Sequence, residues 1–176
     1  LRDLPWFTLP VVVAVLWIMF IIAAMSNGAN LTDGLDGLIA GVSALVFAAY
    51  TILNLWQYDR ACFANSPGPQ CYEVRDPFDL ALLSLALAGA CFGFLWWNAS
   101  PAKIFMGDSG SLAIGGAVAG LAIMSRTELL SVLLCGVFVL ETLTVMAQVG
   151  FFKVTKAMSS DGKGRRLFKM APLHHH

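Results

Sequence analysis

Five stretches of this chain are long and apolar enough to cross a bilayer, and no other feature constrains the fold as strongly. They cover residues 6–25, 38–56, 80–97, 109–125 and 129–152. A helix needs about 20 mostly apolar residues to span the hydrocarbon core. In lipid every backbone N–H and C=O must be satisfied within the protein, which a helix does segment by segment. The first stretch is interrupted only by Thr8 and Pro10, and the third contains no charge. The fourth is short and carries Gly115, Gly116 and Gly120, which predicts close packing on its neighbours. The expected fold is all-α: a single membrane domain, a polytopic bundle of about five spanning helices.

The composition agrees. Charged residues make up 12% of the chain, about half the usual share, and 11 basic residues balance 11 acidic ones. That excludes nucleic-acid binding driven by bulk positive charge, and it excludes a disordered polyelectrolyte. The first stretch is too long for a leader's apolar region and lacks both a basic flank and a cleavage site. The chain opens at Leu1 almost directly into that stretch, as expected of a piece of a longer membrane protein.

Five crossings sort the connections onto two sides. One side holds 26–37, 98–108 and 153–176, with seven Lys and Arg; the other holds 1–5, 57–79 and 126–128, with four. The positive-inside rule places the first group in the cytoplasm. Cys62 and Cys71 then lie in an external connection, where they form either a disulfide or two free thiols. Cys91 and Cys135 fall inside apolar stretches and read as small core residues, and no zinc-type Cys/His spacing occurs.

Three polar motifs fall on the cytoplasmic side. The first runs from Asn27 through Asn30, Asp33 and Asp36 to Gly37. Asp33 and Asp36 are spaced to share one face of a helical first turn, where acids are also favourable as caps. The second runs from Asn98 through Lys103, Phe105, Gly107 and Asp108 to Ser111. Gly107 and Gly110 allow close backbone approach to a ligand, and the helix that follows offers N–H groups to phosphate. Asp108 between them suits a Mg²⁺ ion held against the same phosphates, or alternatively an N-cap. The third is Pro172, Leu173, His174, His175 and His176, either a true histidine cluster or a tag remnant. Two crossings separate each motif from the next, so all three share a compartment whatever the absolute orientation. Glu141 is the lone acid inside a stretch, with Gln148 two turns along. An acid there is either functional or hydrogen-bonded to a neighbouring helix, and the second reading is favoured.

In these three motifs the chain resembles the phospho-N-acetylmuramoyl-pentapeptide transferases (translocase I) of the polyprenyl-phosphate sugar-1-phosphate transferase superfamily. The resemblance covers the whole chain, with the motifs in family order. It implies transfer of phospho-MurNAc-pentapeptide from its UDP carrier to undecaprenyl phosphate, giving lipid I and UMP, with Mg²⁺ as cofactor. It implies a homodimer in the plasma (inner) membrane. It further implies that Asp108 ligates the metal, with Asn30 as second ligand or diphosphate contact. Asp33 and Asp36 would line the nucleotide-sugar pocket, with Asp33 also catalytic. Phe105 would stack on uracil and Asn98 hydrogen-bond it. His174, His175 and His176 would sit by the diphosphate, with His174 and His175 catalytic alongside Asp108 and Asp33. The family has about ten helices and an Asp-Asp pair in its N-terminal half. No such pair occurs here, so this segment alone is expected to be inactive. The alternatives are a GlcNAc-1-phosphate transferase of the same superfamily and, from another class, part of an ion-coupled transporter, whose polar site would lie near mid-bilayer.

Overall fold

The computed structural model describes residues 10–63, 71–159 and 164–175. Among these, six helices form the bundle: α1 Val11–Thr32, α2 Leu38–Asp59, α3 Pro77–Asn98, α4 Gly107–Met124, α5 Glu128–Leu134 and α6 Gly136–Met158. A single 3-10 turn, Leu173–His175, follows. Five of the helices have the length and hydropathy to span a membrane. The all-α polytopic expectation therefore holds. The predicted start of the first span, 6–9, lies outside the described residues.

The helices pack in pairs. α2 lies along α3, α1 along α4, and α6 against α1. Phe47, Tyr50, Ile39, Val118, Leu121 and Phe138 are fully buried at the centre. Leu, Val and Phe side chains on the outer faces stay exposed, which suits lipid. Short polar links join the helices inside. Thr51 Oγ1 lies 3.1 Å from Ser84 Oγ, Ser26 Oγ donates to Leu112 O at 2.7 Å, and Gln57 Nε2 donates to Ser125 O at 3.1 Å. Aromatic residues mark both ends of the bundle. Trp96 and Trp97 are exposed at one end, with Lys103 Nζ 5.3 Å from the Trp97 ring. At the other end Trp56 and Tyr72 meet at 5.0 Å, and Arg60 stands over Trp56. Leu38 and Trp56 are separated by about 27 Å of helix, close to the hydrocarbon thickness.

The local details depart from the sequence reading in four places. First, α1 continues to Thr32, well past residue 25. Its polar residues bond back into the helix: Asn27 Nδ2 to Ala23 O at 2.7 Å, and Thr32 Oγ1 to Gly28 O at 2.8 Å. The motif thus begins on a helix rather than in a loop. Second, Asp33 and Asp36 do not sit in a helical first turn. Asp33 is the C-cap of α1, and 33–37 form the turn into α2, closed by Gly37 at φ 76°.

Third, the stretch 129–152 is not one helix. It breaks at Cys135, which ends α5 and opens α6. Gly28 near the end of α1 lies beside Phe138 and Thr142, and α6 continues from there to Met158, about 24 Å of helix. Fourth, of the three glycines Gly115, Gly116 and Gly120 only one packs tightly. A Cβ on Gly115 would run into the backbone of Met25 and Ser26, whereas Gly116 and Gly120 face open space. Gly115→Leu is therefore expected to destabilise the protein by about 1–3 kcal/mol through overpacking, and Gly116→Leu by much less. Thermal denaturation in detergent would compare them.

Cys62 and Cys71 are disulfide-bonded, at the end of the bundle away from the polar motifs, and Ala61 and Tyr72 pair beside them. Cys91 and Cys135 are buried and free, as expected of core residues.

Candidate active site

The three motifs meet at one end of the bundle. Pairing α1 antiparallel to α4 brings the last turn of α1 onto the first turn of α4. Asn30 Nδ2 donates to Asp108 Oδ1 and to Ser111 Oγ, both at 3.0 Å. Asp108 is exposed, and its helix begins at Gly107 with φ 69°, a conformation only glycine adopts without strain. The N-cap position of α4 is Met106 and Asp108 lies within the first turn, so Asp108 is not serving as an N-cap. Ser111, one turn after Asp108, is buried, and its Oγ is 3.2 Å from Gly107 O and Asp108 O. Its spacing of three from Asp108 was a legible sign that the two share a helix face.

Asp33 stands beside this pair. Its carboxyl is pushed above the usual carboxylate range, first by burial and then by the charge of Asp108, against a stabilising backbone hydrogen bond from Gly107. Among the described residues no lysine or arginine forms an ion pair with Asp33, Asp36 or Asp108. Two neighbouring carboxylates, one of them held by an amide N–H, and no basic partner form a donor set suited to a hard divalent cation. Three such groups within one tight cluster are absent among the described residues, so a cation here would draw its remaining ligands from phosphate oxygens or water.

The second loop is stapled to the first. Asn98 is buried; its Oδ1 accepts the Gly37 N–H at 3.0 Å, and its Nδ2 donates to Ile104 O at 2.9 Å. Asp36 Oδ2 accepts the Ala102 N–H at 3.1 Å. These bonds hold 99–106 over the α1–α2 turn. They leave Phe105 with 74% of its surface exposed.

The histidine motif arrives by an unexpected route. The tail turns back along α6 and docks on it. Gln148 Oε1 accepts the N–H groups of Leu167 and Phe168 at 3.1 and 2.8 Å. Glu141 Oε2 accepts the Leu173 N–H at 2.7 Å; its Oε1 accepts the His174 N–H at 3.2 Å and lies 3.3 Å from His174 Nδ1. Glu141 is buried, so the partner expected on a neighbouring helix is instead the tail. Glu141 and Gln148, seven apart, lie on one helix face, a spacing visible in sequence whose purpose was not. The His174 imidazole rests against Gly34, where any Cβ would collide with it. That contact brings the third motif to the first. His175 lies in the 3-10 turn, and His176 is outside the described residues.

These features define an integral-membrane helical bundle with a polar, acid-rich site at one end of its spans, built from an asparagine–aspartate pair, an aromatic loop and a docked histidine. The family model "Glycosyl transferase family 4" matches residues 2–126, and the chain belongs to that family. It is also similar to curated proteins named phospho-N-acetylmuramoyl-pentapeptide-transferase. The one from Nocardioides sp. is 61% identical over 178 residues, covering all of this chain and 48% of the relative. That from Cutibacterium acnes is 56% identical with the same coverage, and that from Streptomyces griseus is 58% identical over 99% of this chain. The chain spans about half the length of these relatives.

Proposed function

We propose that this chain supplies half of the active site of an enzyme transferring phospho-MurNAc-pentapeptide from UDP to undecaprenyl phosphate. A phosphate oxygen of the lipid attacks the sugar-bearing phosphorus of the donor. The bond from that phosphorus to the bridging oxygen breaks, and UMP leaves with its electrons. Lipid I is the other product. The observation that carries the reading is the convergence of the three motifs: Asn30 on Asp108, and Gly34 against His174. The similarity to the transferases of Nocardioides and Cutibacterium supports the choice of substrate.

Phosphoryl transfer depends on positioning and charge neutralisation more than on covalent chemistry from the protein. Asp108 and Asp33 would hold Mg²⁺, which when bound would neutralise diphosphate charge. Asn30 orients the Asp108 carboxylate through its N–H and is the candidate further ligand. Phe105 offers its ring to uracil, while Asn98 and Asp36 fix the loop that carries it. His174, held by Glu141, would set a ring nitrogen at the diphosphate end, with His175 and His176 as further candidate contacts. The site lies at the ends of the spans, where a nucleotide from water and a phosphate from the bilayer meet. The positive-inside bias puts this end in the cytoplasm, and the Cys62–Cys71 disulfide at the opposite end fits an external, oxidising side.

A donor competition tests this reading. Full-length protein carrying this segment, given UDP-MurNAc-pentapeptide and UDP-GlcNAc together with undecaprenyl phosphate, should form lipid I. Preferential loading of GlcNAc-1-phosphate would assign the chain to the other branch of the superfamily.

A further inference from the structure

Between the outer half of α6 and the docked tail lies a cleft of about 680 Å³. Its walls carry Lys153 and Lys156 from α6 and Arg166 and Lys169 from the tail, with Val149 and Phe152 between them. The tail is pinned on both sides of this opening. Gln148 takes the N–H groups of Leu167 and Phe168, and Thr155 Oγ1 accepts the Arg165 N–H at 2.9 Å. The four cations are thus brought together by backbone hydrogen bonds. Among the described residues none of them makes an ion pair. Only one acid, Asp161, follows Glu141 in the sequence. Four like charges around one opening repel, and an anion seated among them removes that penalty.

The surroundings indicate which anion. This part of α6 follows Thr142, which lies beside Gly28 near the end of α1, and Val149, Phe151, Phe152, Val154 and Met158 on it are exposed. Apolar side chains mixed with Lys and Arg on one helix are the composition of an element lying in the headgroup zone. The exposed Trp96 and Trp97 mark that zone at the same end of the bundle. We propose that the cleft seats the phosphate of an anionic phospholipid, fastening the outer half of α6 and the tail to the membrane surface. The apolar walls receive the upper acyl chains, and the four cations surround the phosphodiester. Because Glu141 and His174 belong to the same docked unit, lipid in this cleft steadies the histidine without touching the reaction.

The test uses full-length protein in nanodiscs of equal parts phosphatidylcholine and phosphatidylglycerol, with retained lipids identified by native mass spectrometry. Wild type should retain phosphatidylglycerol in preference to phosphatidylcholine. Lys153→Gln/Lys156→Gln and Arg166→Gln/Lys169→Gln should each lower that preference on the order of tenfold. Lys153→Arg/Lys156→Arg should preserve it, which separates lost charge from lost folding. Lys103→Gln, a cation at the same end but outside the cleft, should have no effect. Undiminished retention in either glutamine pair would overturn the proposal, as would an equal loss in Lys103→Gln. Displacement of the lipid by inorganic phosphate would also overturn it, marking the cleft as a site for soluble anions. Lipid retention is read without turnover, so failure here and failure of the transferase assignment are distinguishable.

Discussion

Asp108→Asn in the full-length protein should abolish UMP release, with a loss of at least about 10³-fold, while leaving the bundle folded. The substitution keeps the shape and one oxygen, so the hydrogen bond from Asn30 Nδ2 survives. What disappears is the negative charge that holds a cation against the diphosphate. Stability should move the other way. Asp33 carries a raised pKa partly because Asp108 is ionised beside it. A raised carboxyl pKa means that ionised Asp33 costs stability above its folded-state pKa. The cost fades as pH falls, and is gone below the ordinary value of 3.8, where both states are protonated. With divalent cations chelated, Asp108→Asn should therefore melt higher than wild type at neutral pH, with the difference shrinking as pH falls towards that value. Adding Mg²⁺ should raise the melting temperature of wild type and not of the variant. If the variant turns over normally, or responds to Mg²⁺ as wild type does, Asp108 is not the metal ligand.

Glu141→Ala should release the tail and cost about 100-fold or more in activity, although Glu141 touches no substrate. The carboxylate accepts two backbone N–H groups and stands 3.3 Å from His174 Nδ1. Each buried donor left without an acceptor costs about 1–3 kcal/mol, enough to undock one 3-10 turn. Hydrogen exchange should show the Leu173 and His174 amides losing protection in Glu141→Ala, while α2 and α3 keep theirs. Glu141→Gln separates charge from hydrogen bonding. Its single oxygen satisfies one amide but turns an NH₂ towards the other, so it should fall between wild type and alanine. Unchanged protection of 173–174 in the alanine variant would refute the tethering role. An ion pathway through Glu141 gains no support from this arrangement, because both carboxylate oxygens face the tail backbone.

The parts of the fold legible in sequence were those fixed by local composition. Runs of Leu, Val, Ala and Phe near 20 residues dictate helices in lipid, and four of the five stretches became single helices close to where they were placed. The even number of crossings between motifs followed from counting alone. It correctly put Asn30, Asp33, Asp36, Asn98, Asp108 and His174 at one end. Other features were not local. Hydropathy does not register a break at Cys135, because α5 and α6 are apolar on both sides of it. Nothing in the run of small residues 115–120 tells Gly115, against the backbone of α1, from Gly116, which faces outward. Whether Asp33 and Asp36 sat in a helix depended on where α1 stopped. Its asparagine and threonine carry it on by bonding to their own helix.

By itself, then, the sequence determined that this chain is a membrane bundle with three polar motifs in one compartment, since burial in lipid and the parity of crossings depend only on residue order. The tertiary structure decided which of those polar atoms face one another. It brought Asn30 to Asp108, committed Asn98 to a staple between two loops, and folded the tail back onto Glu141 to rest His174 against Gly34. Those choices come from distances between residues far apart in the chain, set by how α1, α4 and α6 pack, and no local property of the sequence encodes them.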